Sequence, residues 1–133
     1  MIDIIIKGTI AKRIDILSYA FDIMLHYLPH NKQCTIDIHF SNKIDGYYGV
    51  CMGDENDVEI EIAKINPVTG DKFTLNEMML NLAHELVHAK QYLLGELPPD
   101  HGPKPIPPYR HQPWEREAYK SEEFLYNRYR KDL

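Results

Sequence analysis

The stretch from Thr74 to Gly95 constrains this chain more than any other. Thr74 and Glu77 stand in the spacing of a capping box, in which each side chain satisfies the other residue's free backbone amide. Leu75, Met78, Met79, Leu82 and Leu86 then recur at helical steps, and Gly95 suits a helix C-terminus. The spacing predicts a helix over 74–94 whose apolar face must be buried. The same helix carries His84, Glu85 and His88 in the pattern H-E-x-x-H. Residues four apart lie on one helix face, so the two imidazoles can converge on one metal ion, with Ala83 and Ala89 leaving room beside them.

The rest of the chain reads as short strands and two more helices. Ile2, Ile4 and Ile6 alternate with Asp3 and Ile5, which predicts a first strand. Ile10, Ile14, Leu17, Phe21, Met24, Leu25 and Leu28 recur at three- and four-residue steps, predicting one apolar face of a helix that ends at Pro29. Three strand-like runs follow: CTIDIHFS from Cys34, GYYGVCMG from Gly46 and DVEIEIAKI from Asp57. In the last, Val58, Ile60 and Ile62 should face the core and Glu59 and Glu61 solvent, as charges do on a protected edge strand. His39 should be solvated. Residues 96–113 are too rich in proline for helix or central strand. Pro113 then opens a third helix over 114–130, with Glu early and Arg or Lys late, as the helix dipole favours.

These elements predict an α+β fold in a single domain, 1–133, with a small, mostly antiparallel sheet and three helices. A chain of 133 residues can bury ~65–70% of its unfolded surface and needs no disulfide staple. The net charge of -5, without a cluster of Lys and Arg, argues against a dedicated nucleic-acid surface. Cys34 and Cys51 belong to no C-x-x-C pair and read as reduced, small core hydrophobes. No apolar run approaches the ~20 residues of a membrane span, and the N-terminus is a poor signal peptide. The expectation is a soluble, cytoplasmic protein with no membrane partner; the sequence carries no signal for its oligomeric state.

Imidazole ligands favour zinc, which in catalytic sites takes three protein ligands and leaves a position for water. Glu85 is next to His84 at the rim of the same face, where a carboxylate can act as general base without being a ligand. A third ligand must come from elsewhere. HELVHAKQYLLGEL followed by PWEREAY resembles the minimal gluzincin-type zinc metallopeptidases found among bacteriophage and bacterial proteins of unassigned function. The resemblance covers roughly Gly46 to Lys120. It implies a zincin-like domain, a peptide or protein substrate, and Glu115 as the third zinc ligand, with Ala118 packed on the motif helix. Tyr119 stands where the family has an Asp that orients a zinc-bound His. By analogy with the family, an extended peptide would pair with an edge strand near DVEIEIAKI.

Alternatives remain open at this point. Glu117 is a rival for the third ligand. Asp100-His101-Gly102-Pro103 resembles a segment of SprT-like proteases, which would make His101 the ligand. His111 reads as a surface residue, with steadying of an oxyanion as its functional reading. A metal that merely clamps a small binding or phage structural module is the non-enzymatic alternative.

Overall fold

Alternation along the strand sequences becomes a sheet with one buried and one open face. The computed structural model describes residues 1–42, 44–99, 112–131 and 133. Four strands, β1 (Ile2–Lys7), β2 (Cys34–Ser41), β3 (Gly49–Gly53) and β4 (Asp57–Ala63), form one sheet in the order β1-β2-β4-β3. Ile2, Ile6, Cys34, Ile36, Ile38, Phe40, Cys51, Val58, Ile60 and Ile62 are buried on its inner face. Asp3, His39 and Glu59 are exposed on the other. The fold is α+β.

The expected mostly antiparallel sheet is not what forms. β1 pairs with β2 and β2 with β4 in parallel; only β3 and β4 are antiparallel. Alternation reports which face is wet, and it is silent on strand direction. Direction follows from the connections. Helix α1 (Arg13–Tyr27) carries the chain back from β1 to start β2 beside it, and β4 returns between β2 and β3. β4 is therefore central, so Glu59 and Glu61 protect no edge and DVEIEIAKI offers none to a peptide. The edges are β1 and β3.

Helix α1 also differs from expectation. It begins at Arg13, and its buried residues are Ile16, Tyr19, Ala20, Ile23 and Met24. Of the stripe read from sequence, Met24 and Leu28 are buried, whereas Ile14, Leu17 and Phe21 are 82%, 38% and 36% exposed. Two apolar stripes compete on this helix. The one with Tyr19 wins because its hydroxyl can be buried at no polar cost, donating to Met79 O at 2.8 Å.

Helix α2 (Leu75–Leu93) starts with the expected capping box: Glu77 N donates to Thr74 Oγ1 at 3.1 Å and Thr74 N to Glu77 Oε1 at 2.9 Å. It lies against β3 and β4 on the inner face, between α1 and helix α3 (Pro113–Tyr129). Pro113 occupies the first turn of α3, where its missing amide costs nothing. Ala118, Leu125 and Tyr126 are its buried apolar residues. No helix among the described residues is long and apolar enough to cross a membrane.

Candidate metal centre

The packing of α3 on α2 brings three predicted ligands together. His84 Nε2 and His88 Nε2 each lie 2.9 Å from Glu115 Oε1. One ligand atom from each residue falls within 4.8 Å of the others, and all three residues are buried. Ligands at 2.0–2.1 Å from a tetrahedral zinc are separated by about 3.3 Å, so the cluster has the size of such a site.

Hydrogen-bond chemistry tests whether a cation fits. Gln91 Nε2 donates to Trp114 O at 3.0 Å and Glu117 Oε1 at 2.7 Å, so its carbonyl oxygen must be the atom 2.7 Å from His88 Nδ1. That nitrogen is then the donor. His84 Nδ1 likewise faces an acceptor, Glu122 Oε2, at 2.7 Å. Both neutral rings therefore carry their proton on Nδ1 and turn an Nε2 lone pair toward Glu115. Two lone pairs and a carboxylate oxygen converge with no donor among them. Such an arrangement calls for a proton or a metal cation.

The titration behaviour agrees. Burial would lower the pKa of His84, but hydrogen bonds to Glu115 and Glu122 outweigh it and push the value up to about 10. His88 is raised in the same sense: the bond to Glu115 overcomes burial. Without a metal, the cluster holds a proton in its place.

Glu85 stands beside this triad. Burial raises its pKa, the neighbouring imidazoles pull it down, and the carboxylates of Glu115 and Glu122 push it up further. Glu85 and His84 both line a cleft of ≈ 410 Å³, with Tyr47, Tyr48, Asn81, Tyr119 and Glu122 among its walls. β3 passes close above α2 here. A Cβ on Gly49 would lie 3.0 Å from Glu85 Cγ and 3.1 Å from Ile62 Cδ1, so glycine gives Glu85 its space. Cys51 is buried nearby, its thiol held neutral by burial and by the charge of Glu85.

Other sequence candidates are placed differently. Glu117 points away from the triad: it accepts from Lys90 Nζ at 2.7 Å and from Gln91, clamping α3 to α2. Tyr119 packs edge-on against the His84 ring, with centroids 4.6 Å apart, and the orienting carboxylate comes from Glu122 instead. His39 is exposed. His101 and His111 lie outside the described residues.

Sequence reasoning missed Glu122, Gln91, Gly49 and Asn81. Two of these had a signal. Glu122 is seven residues after Glu115, on the same helix face two turns on, and Gln91 is three after His88. Asn81 precedes His84 by three, and its buried Nδ2 has no hydrogen-bond partner among the described residues. Comparison with protein-family models, curated proteins and solved structures gave no match to this chain.

Proposed function

We propose that this protein is a zinc-dependent peptidase of gluzincin type, with His84, His88 and Glu115 as metal ligands and Glu85 as general base. One observation carries the reading. Three acceptor atoms converge without a donor, at the wall of a cleft that a buried glutamate of raised pKa also lines. A closed structural clamp has no use for that glutamate, whereas hydrolysis requires a base there.

Zinc in this site would act as a Lewis acid toward a carbonyl and lower the pKa of water to about 7. The protein's part is to place and move protons. Glu85 takes a proton from the attacking water as the new C–O bond forms, and passes it to the amine nitrogen as the C–N bond breaks. Its raised pKa suits both steps. Glu122 and Gln91 hold the two imidazoles in the tautomer that leaves Nε2 free to ligate. An extended peptide would add to the outer edge of β3, which no described strand pairs with and which runs over α2 beside the cleft. A cytoplasmic setting belongs to this reading, since Cys34 and Cys51 are both buried and unpaired.

Metal analysis and Glu85→Gln together form the test. Purified protein should contain about one zinc per chain, and the His84→Ala, His88→Ala double variant none. Glu85→Gln should keep zinc while cleavage of a mixed pool of unfolded peptides, followed by mass spectrometry, falls by ~10²–10⁴. Equal cleavage by wild type and variant would rule out the mechanism. Bound zinc with four protein ligands and no cleavage by either would assign a clamp instead.

A further inference from the structure

At the edge of the sheet opposite the candidate metal centre, the side of β1 that no described strand pairs with and the outer flank of α1 form a second surface. Cys34 N donates to Met1 O, and Ile2 stands opposite Cys34 in a parallel ladder. That register turns the backbone groups of Met1, Asp3, Ile5 and Lys7 toward β2. Those of Ile2, Ile4 and Ile6 point outward, where the Arg13 guanidinium donates to Ile6 O. Beside this edge Ile14, Leu17 and Phe21 line an apolar groove with Ile2 and Ile4. Ile5 is 47% exposed on the open face of the sheet. The Arg13 guanidinium also donates to Gly8 O and so covers the Ile6–Gly8 end of the edge; the rest, bordered by apolar side chains, is a template for another strand.

We propose that the occupant is β1 of a second copy, paired antiparallel about a two-fold axis at Ile5. Edge charges select both partner and register. An axis at Asp3 sets the two Asp3 carboxylates opposite each other, and one at Lys7 sets the two ammonium groups opposite each other. Axes at Ile4 or Ile6 place one of those charges opposite Ile5. Only the Ile5 axis sets Asp3 of each copy opposite Lys7 of the other, twice, and like-against-unlike charge is the favourable cross-strand arrangement. Lys7 is 59% exposed and its contact to Asp37 is a loose 3.9 Å, so it can face a new partner. In this register Ile4 N of each copy takes the place of Arg13 at Ile6 O of the other, so pairing displaces both guanidinium groups, and Ile5 packs on Ile5. The same rotation turns the Ile14, Leu17, Phe21 stripe onto its own copy with its ends exchanged. Such self-complementarity is what an isologous two-fold interface requires. The sheet becomes eight-stranded, and the cleft at β3, on the opposite edge, stays open.

The experiment is sedimentation velocity on the full chain across a concentration series. A dimer is expected for wild type and a monomer for Ile14→Lys/Leu17→Glu; both positions are exposed, so circular dichroism should be unchanged. Asp3→Lys alone and Lys7→Asp alone should each weaken the dimer, and the double charge swap should restore it. Ile5→Cys should cross-link two copies under mild oxidation, since Cys34 and Cys51 are buried. A wild type that stays monomeric up to about 1 mM overturns the proposal. So does a dimer indifferent to the charge swaps, or a monomer that instead takes up an added β-strand peptide at β1.

Discussion

Removing Glu122 tests the site without touching a ligand. Its Oε2 lies 2.7 Å from His84 Nδ1 and is the acceptor for that nitrogen among the described residues. The carboxylate does two things: it fixes the tautomer with Nε2 unprotonated, and it raises the basicity of that nitrogen toward a cation. Loss of such a partner typically costs 10- to 100-fold in metal affinity, or about 1.4–2.7 kcal/mol. Glu122→Ala should fall in that range. Glu122→Gln should lose less, since an amide oxygen can still accept from Nδ1 while the charge is gone. Glu115→Ala, which removes a ligand, should lose more than either. The assay is competition for zinc against a chromophoric chelator at fixed pH, with Glu123→Ala as the exposed neighbouring control. At a fixed excess of zinc, each tenfold loss in affinity also removes about 1.4 kcal/mol of ligand-linked stability, so thermal midpoints give a second readout. If Glu122→Ala matches the Glu123→Ala control in both, the orienting role assigned to Glu122 is wrong.

Metal-free protein should lose stability as pH rises from about 6.5 toward about 10, because the folded state holds a proton on His84 far more tightly than the unfolded chain does. That contribution is complete below the unfolded pKa and vanishes above the folded one; saturating zinc, which displaces the proton, should reverse the trend in thermal midpoints between pH values of about 6 and 9. Gly49→Ala should leave zinc stoichiometry intact but slow peptide cleavage ~10-fold or more, since the added methyl crowds Glu85 Cγ and Ile62 Cδ1 and misplacement of the base by a fraction of an ångström is costly. Unchanged turnover in that variant would show that Glu85 does not depend on the space Gly49 leaves.

Much of the fold was legible where one physical signal decided it. The capping box fixed the start of α2, the alternation in β2 and β4 fixed their buried residues, and Pro113 fixed the start of α3. Errors arose where two arrangements satisfy the same pattern. Alternating Val58, Ile60 and Ile62 fit a parallel or antiparallel neighbour equally well. On α1 the stripe through Ile14 and Leu17 and the stripe through Ile16 and Tyr19 are both helical in period. The hydrogen bond that lets Tyr19 be buried is accepted by Met79 O, sixty residues away, and no local pattern reports it. His84, Glu85 and His88 were legible because H-E-x-x-H is local in sequence, whereas Glu115, 27 residues after His88, came only from the resemblance of PWEREAY to a gluzincin motif. The supports of the site were less so, for they depend on how α3 turns against α2. Tyr119 and Glu122 are three residues apart on one face of α3, and the sequence alone does not say which of them meets His84.

That helix–helix contact is also what joins stability to the site. Lys90 is buried with Glu96 at 2.9 Å and Glu117 at 2.7 Å, and Gln91 bonds Glu117, Trp114 O and His88 at once. Gln91 thus ties the clamp that holds α3 to the tautomer of a ligand. Glu117, the rival ligand, serves this clamp, while Glu115 and Glu122, two and five positions to either side of it, face the histidines. One turn of α2, from Val87 to Gln91, therefore carries Lys90 of the interhelical ion pair and His88, one of the three candidate ligands. A metal joining His84 and His88 on α2 to Glu115 on α3 cross-links the same two helices that Lys90 and Glu117 hold. Binding energy at the site must then appear partly as docking energy of α3, and breaking the Lys90–Glu117 pair must weaken the metal site through helix position, with all three ligands still present.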